Sequence, residues 1–167
     1  EMPKDMAMCQ FRSAKLPLWA DIPCMDEHPF FEHQTRFVLA QCGISDPLSL
    51  AEYVAYDGYA AMTKVLTAMT PDQVCNEMEL SGLRGRGGGG FPTGKKWKFA
   101  YAQQAEQKYL ICNADEGDPG AFMDRAVIES VPFRLLEGMV IAAYAIGASK
   151  AYVYIRAEYP LAIERLK

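Results

Sequence analysis

Apolar residues recur at helical spacing through the middle of the chain. A stripe of positions three and four residues apart predicts a helix that runs to residue 69, and it comprises Tyr59, Met62, Val65, Leu66 and Met69. A new start signal follows at Thr70, because threonine is a good N-cap, Pro71 suits a first turn and Gln73 completes a capping box. The pattern predicts a second helix that ends before Gly82.

The residues before this region are less regular. A helix is predicted from Pro29 to a stop at Gly43, with an apolar face made of Phe30, Phe31, Phe37, Val38 and Cys42. A short helix is predicted over residues 47–55. Residues 1–28 have no sustained period and are interpreted as a linker or the tail of an upstream segment. Residues 29–81 are then a helical lead-in.

The second half alternates short apolar runs with helical patterns. Residues 109–112 (YLIC) and 152–155 (YVYI) are predicted to be buried parallel strands. Helices are predicted over residues 95–104, over 122–129, from Pro132 to about Ala148, and from Pro160 onward. This order of elements predicts an α/β fold with parallel strands over residues 82–167, preceded by the helical lead-in. The last helix is interrupted by the chain end, so the α/β domain is expected to be truncated.

Composition narrows the class of protein. The 167 residues suffice for one domain, and half of them are hydrophobic, which excludes a disordered chain. A net charge of -4 argues against a general nucleic-acid binder. The sequence has no apolar run of about 18 residues and no signal-peptide pattern, so neither a membrane span nor export is predicted.

The five cysteines, Cys9, Cys24, Cys42, Cys75 and Cys112, are widely spaced and form no CxxC pair. Their odd number and spacing argue against a disulfide framework and against a zinc or iron–sulfur site within this chain. Reduced thiols in a cytoplasmic protein are expected.

Residues 82–94 hold seven of the 13 glycines. Consecutive glycines let the backbone approach a ligand closely and point several N–H groups at one anion. Five cations flank the glycines, namely Arg84, Arg86, Lys95, Lys96 and Lys98, and no acidic residue lies between Glu79 and Glu106. This segment, here named the glycine loop, is therefore predicted to bind a phosphate.

Other interpretations of the glycine loop remain open. Gly85, Gly87 and Gly90 fit G-x-G-x-x-G, but a Rossmann fingerprint requires a preceding strand. Gly89 to Lys95 fits a Walker loop, but Lys96 stands where that loop requires serine or threonine. A flexible linker is a third possibility. Large aromatic residues beside the loop favour a phosphate-bearing aromatic cofactor instead, although Trp97 is as well explained by core packing.

A polar loop follows the first predicted strand. Asn113, Asp115, Glu116 and Asp118 carry one amide and three carboxylates at the edge where parallel sheets bind ligands. These groups could hydrogen-bond ribose hydroxyls or ring N–H groups; calcium binding or a solvated turn are the alternatives. The sequence shows no nucleophile signature, so any chemistry is expected to come from a cofactor.

Two segments, SGLRGRGGGGFPTGKKW and YLICNADEGDPGAFMDR, together resemble one family. It is the NADH-binding, FMN-carrying flavoprotein subunit of respiratory complex I, of NAD(P)-linked and electron-bifurcating hydrogenases, and of NAD-dependent formate dehydrogenases. The resemblance covers the N-terminal part of that subunit. GRGGGG, GDPGAFMDR and the lead-in from Pro29 favour the hydrogenase branch.

The resemblance implies a Rossmann-like FMN-binding α/β domain. By resemblance, the FMN-binding residues are Gly85, Arg86, Gly87, Gly88, Lys96, Asn113, Asp115 and Glu116. The NADH-binding residues would be Phe91, Phe99 and Asp118, with Asp118 in place of a family glutamate. The implied reaction is hydride transfer from NADH to FMN, followed by single-electron transfer to iron–sulfur clusters of a multi-subunit complex, in the cytoplasm or at the cytoplasmic face of a membrane complex.

Part of the family's site is missing from this chain. A Gly-Glu-Glu stretch and a four-cysteine domain for a 4Fe-4S cluster, both expected from the resemblance, do not occur in it. The chain is therefore expected to be a fragment that holds the first half of an FMN/NADH site, without a metal site of its own. The alternatives are a non-catalytic assembly module of such a complex and a phosphate-loop nucleotide-binding protein.

Overall fold

The computed structural model describes residues 17–167. Its first part is helical: a 3-10 helix at Met25–Glu27 precedes α1 (Pro29–Glu32), α2 (Leu50–Ala55), α3 (Ala60–Ala68) and α4 (Pro71–Leu80). The second part contains α5 (Thr93–Ala102), β1 (Tyr109–Ala114), α6 (Met123–Ser130), α7 (Pro132–Ile146), β2 (Lys150–Ile155) and α8 (Pro160–Leu166). Residues 1–16 lie outside the described residues. They include Cys9 and most of the segment, residues 1–28, that is interpreted as a linker.

The start of α4 is determined by local side-chain chemistry, as predicted. The backbone N–H of Gln73 donates to Thr70 Oγ1 at 3.3 Å, and the backbone N–H of Thr70 donates to Gln73 Oε1 at 2.8 Å. These two reciprocal bonds satisfy donors that would otherwise lack partners at the helix start. The capping box confirms the predicted boundary.

The long helix predicted from Pro29 to Gly43 is wrong. α1 ends at Glu32, and Phe37, placed on its apolar face, is 84% exposed. The guanidinium of Arg134 donates to the carbonyl oxygens of Phe37 and Val38 at 3.0 and 2.9 Å. Those bonds hold both carbonyls against α7, so a tertiary contact replaces the helical pattern of the sequence.

The two strands pair in parallel, from Tyr109 opposite Lys150 to Ala114 opposite Ile155. One face packs on α6 and α8 through a core of Ala114, Ile128, Tyr159 and Ala162. The other face is exposed at Tyr109, Ile111, Tyr152 and Tyr154. The parallel α/β arrangement is confirmed, but the prediction that both strands are buried holds for one face only, because no element of the described residues covers the other.

A second core joins the helical part to the α/β part. Val65, Val74, Cys75 and Ala145 are its buried members, so α3, α4 and α7 meet there. Trp97 of α5 packs against the same cluster. Of the two explanations for Trp97, core packing is the one that the structure supports.

The described cysteines, Cys24, Cys42, Cys75 and Cys112, are free thiols. Within residues 17–167 no group of three or more histidine, cysteine or acidic side chains could hold a metal ion. In the same range, none of the helices combines the length and the hydropathy needed to cross a membrane.

Candidate functional site: a glycine loop and an acidic loop

The glycine loop is a narrow hairpin-like turn between α4 and α5. The N–H of Thr93 donates to the Leu83 carbonyl, and the N–H of Gly85 donates to the Phe91 carbonyl, both at 2.9 Å. The Arg84 guanidinium donates to the Gly90 carbonyl at 3.2 Å and fastens the turn from its side. The flexible-linker interpretation is therefore wrong, since the loop is tied at its base by backbone hydrogen bonds.

The tip of the loop has free space around its backbone. Gly88 and Gly90 have φ values of +97° and +58°, in the left-handed region that favours glycine. A β-carbon built on Gly87, Gly88, Gly89 or Gly90 would meet nothing within 4 Å. The tip thus presents bare backbone to solvent, as an anion-binding loop requires.

Positive charge concentrates where the loop enters α5. The helix begins at Thr93, so Lys95 and Lys96 lie in its first turn, at the positive end of the helix dipole. Lys98, predicted to belong to the same cluster, instead forms an ion pair with Glu79. Its hydrogen bond to Glu79 is the main factor raising the pKa of Lys98. Among the described residues, Arg86, Lys95 and Lys96 form no ion pair with an acidic side chain, so their charge remains available to a ligand.

Gly94 sets how closely α5 packs on α4. A β-carbon at this position would lie 2.4 Å from the backbone nitrogen of Glu79 and 2.5 Å from its Cα. Only glycine allows that approach. Because α5 continues directly from the glycine loop, this contact also fixes the position of the loop base.

The acidic loop, residues 113–120, begins with the last two residues of β1 and continues beyond the strand. Asn113 Oδ1 accepts a hydrogen bond from the backbone N–H of Asp115 at 3.3 Å, which shapes the start of the loop. Glu116 has a φ of +50°, an uncommon conformation for a residue with a side chain.

Glu116 caps the start of α6. Its carboxylate accepts from the backbone N–H groups of Asp124 and Arg125 at 2.7 and 3.1 Å, and from the Tyr159 hydroxyl at 3.2 Å. Partial burial acts to raise the pKa of Glu116, but these donors outweigh it and hold the pKa below its ordinary value. The structure therefore gives Glu116 a capping role that its sequence position did not indicate.

Two residues after β2 complete this end of the sheet. The guanidinium of Arg156 lies 3.8 Å from Asp115 Oδ2 and sits over the ring of Tyr159 at cation–π distance. Sequence reasoning missed both residues as site members. A signal was available, because residues that follow two parallel strands meet at the same edge of the sheet, where ligands bind.

The predicted site residues fall into two groups that the described structure does not join directly. No hydrogen bond or ion pair within residues 17–167 connects the glycine loop to the acidic loop. The residues predicted to contact NADH are on the surface: Phe91 and Phe99 are 51% and 63% exposed, and Asp118 is also exposed. All three are accessible to a ligand.

An open, cationic glycine loop before a helix, together with a polar loop after a parallel strand, is typical of α/β proteins that bind nucleotide cofactors. The chain belongs to the Nuo51 FMN-binding domain family (Complex1_51K), whose model matches residues 78–167.

Relatives come from both branches suggested by the sequence. The chain is 58% identical over 134 residues to the NADP-reducing hydrogenase subunit HndC of Solidesulfovibrio fructosivorans, which covers 80% of this chain and 27% of that protein. It is 49% identical over 130 residues to the F 2 subunit of the NADH-quinone oxidoreductase of Rhizobium meliloti, covering 78% of this chain and 31% of that protein. The chain thus spans about a third or less of the length of these relatives.

A solved structure is similar in fold. The air-oxidized NAD+-reducing [NiFe]-hydrogenase matches 80% of this chain and 22% of its own chain, with a TM-score of 0.62 and 36% sequence identity. The membership in a family of flavoprotein oxidoreductase subunits expected from the two motifs is confirmed.

The capping role of Glu116 predicts a specific pH dependence. Since its folded pKa is lowered, its contribution to stability is present above the unfolded value of about 4.3 and is lost as pH falls through the folded pKa. Replacing Glu116 with glutamine should therefore lower stability most at about pH 6–7, with the difference from wild type narrowing below about pH 4. Urea denaturation at several pH values measures this difference. The exposed neighbour Asp118, changed to asparagine, is the control, and a Glu116→Gln deficit that stays constant with pH would contradict the prediction.

Proposed function

We propose that the chain forms the first part of the FMN- and NADH-binding site of an oxidoreductase subunit. In the proposed reaction, hydride passes from NADH to FMN and electrons pass singly to iron–sulfur clusters of a multi-subunit complex. The open cationic glycine loop, in a chain of the FMN-binding family, carries the proposal. The other two loop interpretations have less support, since a helix leads into the loop and Lys96 replaces the magnesium-binding hydroxyl of a Walker loop.

The glycine loop fits the phosphate end of FMN. The unobstructed backbone from Gly87 to Gly90 leaves room for a phosphate, and the first turn of α5 supplies positive potential. Gly85, Arg86, Gly87 and Gly88 would surround the phosphate, and Lys96 would neutralise it. The glycine loop therefore has both the positive charge and the free volume that a phosphate requires, without any change in its conformation.

The acidic loop fits the ribityl chain and the ring of the flavin. Asn113 and Asp115 offer an amide and a carboxylate at the carboxyl end of β1. A carboxylate has about four acceptor positions, and three at Glu116 are already used, so that residue has little left for a ligand. In this proposal Glu116 binds flavin weakly and chiefly keeps the loop in place.

Exposed aromatic side chains fit the nicotinamide nucleotide. Phe91 and Phe99 offer ring surface on which a base can stack, and Asp118 offers an acceptor. When bound, FMN supplies hydride acceptance and one-electron release. The chain's own residues bind and orient the two nucleotides so that they meet in a reactive geometry.

The names of the relatives support the wider proposal. They are a hydrogenase subunit and a quinone oxidoreductase subunit, each a part of a larger enzyme. We infer a cytoplasmic protein, which includes the cytoplasmic face of a membrane complex, with iron–sulfur subunits as partners. A 4Fe-4S cluster would be bound outside this chain.

Parallel titrations of FMN and riboflavin test the glycine loop. The protein tested is the native polypeptide that contains this chain, purified without flavin. Arg86→Ala should weaken its FMN binding about tenfold or more, because one charge-assisted phosphate contact is lost. Riboflavin, which lacks the phosphate, should bind equally well to both forms. Flavin fluorescence quenching measures both affinities, and NADH should bleach the bound FMN.

Lys64→Ala, which removes an exposed cation on α3, serves as the control. The proposed function is overturned if the wild-type native polypeptide that contains this chain binds no FMN, or if its bound FMN is not reduced by NADH.

A non-catalytic assembly role is the second candidate, and the exposed sheet face favours it. Tyr109, Ile111, Tyr152 and Tyr154 form an apolar surface of the kind that covers another protein element. Lys96→Met combined with Asp115→Asn separates the two functions. Assembly alone predicts unchanged NADH oxidation in the assembled complex, whereas the proposed site predicts its loss.

A further inference from the structure

Asp115 and Arg156 occupy equivalent places directly after the two parallel strands. Ala114, the last residue of β1, pairs with Ile155, the last residue of β2. The residue that follows β1 is therefore Asp115, and the residue that follows β2 is Arg156. The sheet register itself places this carboxylate and this guanidinium together.

From this geometry we propose that Arg156 is a positioning residue for the flavin: it orients Asp115 by charge and leaves the Asp115 carboxylate free to accept hydrogen bonds from the ligand. The inference rests on the proposed function and deepens it. It also divides the two acidic residues by role, with Asp115 facing the ligand and Glu116 serving the fold.

The contact between the two groups is electrostatic and not a hydrogen bond. Arg156 Nη2 lies 3.8 Å from Asp115 Oδ2, which is too far for direct donation. Among the described residues, none donates a hydrogen bond to the Asp115 carboxylate. Asp115 is thus held near a cation, and its carboxylate oxygens can still accept hydrogen bonds from a ligand.

Arg156 is itself fixed by packing. Its guanidinium lies 5.5 Å from the centre of the Tyr159 ring, and Tyr159 is only 8% exposed. The Tyr159 hydroxyl donates to Glu116, so the ring beneath Arg156 is tied to the acidic loop. Arg156 Nε is buried and has no hydrogen-bond partner among residues 17–167. A buried donor without a partner is unusual, and it leaves Arg156 with a hydrogen bond still to make.

Gly117 makes room for this arrangement. A β-carbon there would lie 3.0 Å from Asp115 Oδ2 and 3.5 Å from Arg156 Nη2. The first distance is tighter than an ordinary contact, whereas the second is an ordinary van der Waals contact. A residue larger than glycine would therefore crowd the Asp115 carboxylate, and glycine leaves that carboxylate undisturbed.

FMN and riboflavin, titrated in parallel into the flavin-free native polypeptide, test the inference. Arg156→Met keeps most of the side-chain volume and removes the charge. We expect it to weaken FMN and riboflavin by the same factor, about fivefold or more, because Asp115 contacts the part that both flavins share. Arg86→Ala should weaken FMN alone. Arg156→Lys, which restores a cation near Asp115, should recover most of the lost affinity.

Arg165→Met is the matched control, since Arg165 also has a buried Nε without a partner among the described residues. It should leave both flavin affinities unchanged, while thermal denaturation shows that each variant is folded. Wild-type affinity in Arg156→Met overturns the inference and leaves the proposed function standing. An equal loss in Arg156→Met and Arg156→Lys also overturns it, because charge would then not be the cause. A wild-type protein that binds neither flavin overturns both.

Discussion

Replacing Glu137 with alanine is expected to lower the free energy of unfolding by about 3 kcal/mol, the range for removing one partner of a buried polar network. Glu137 is 9% exposed and accepts hydrogen bonds from the Tyr53 hydroxyl and from the backbone N–H groups of Tyr59 and Met62, the latter two at 3.1 Å each. The two backbone donors lie at the start of α3, where Tyr59 has a φ of +64° and provides no cap of its own. Without the carboxylate, three donors lose their acceptor, and the strained turn loses the bonds that hold it.

Urea denaturation at about pH 7 measures this loss. Glu77→Ala, at an exposed position of α4, is the matched control and should change stability by less than about 0.5 kcal/mol. Tyr53→Phe, which removes only one of the three donors, should cost about 1 kcal/mol. A cost below about 1 kcal/mol for Glu137→Ala would show that the network does not hold α3 against α7.

The Tyr53 hydroxyl predicts how the stability of the protein changes at high pH. Burial, followed by the hydrogen bond to Glu137, raises the pKa of the Tyr53 hydroxyl. Its contribution to stability is therefore complete below the unfolded value of about 10 and is lost as pH rises above it. The difference between wild type and Tyr53→Phe should shrink above that pH, and a difference that does not change would contradict the assignment.

Gly94→Ala is the second substitution with a large expected effect, a loss of about 2–3 kcal/mol, as for overpacking of a close contact. The added methyl group would overlap the backbone of Glu79, which cannot move aside as a flexible side chain could. Relief requires α5 to shift away from α4, and the glycine loop would shift with it. Flavin affinity should therefore fall together with stability.

Gly138→Ala is the matched control for this glycine. Gly138 also lies in a helix, α7, and a β-carbon there would meet nothing within 4 Å. Alanine at that position should raise stability by about 0.5–1 kcal/mol, because the unfolded chain loses more freedom. If the two alanine variants were equally stable, the close approach of α5 to α4 at Gly94 would not contribute to the free energy of unfolding.

Local chemistry made the start of α4 and the two strands predictable from sequence. The Thr70–Gln73 capping box needs only residues within one helical turn, and the two short apolar runs needed only their spacing to indicate parallel strands. The failed helix after Pro29 has a distant cause. The bonds that capture the Phe37 and Val38 carbonyls come from Arg134, 97 and 96 residues further along, and no local pattern contains that information.

The candidate site shows the same division. Composition was enough to locate both loops, because runs of glycine and of carboxylates are visible in the sequence. It could not show that Glu116 turns toward α6, that Lys98 is paired with Glu79, or that Arg156 lies opposite Asp115. Each of these depends on which elements become neighbours, and the last depends on the register of β2.

The register of β2 limits which insertions and deletions this strand can accept. One codon inserted within β2 would move the residues beyond it by one position and reverse the face on which they point. Tyr154 would then point into the core shared with α6 and α8, and Arg156 would no longer stand opposite Asp115. Two inserted codons would restore the faces but still displace the arginine. β2 should therefore tolerate many substitutions on its exposed face, but no insertion or deletion that leaves both the core and the acidic loop intact.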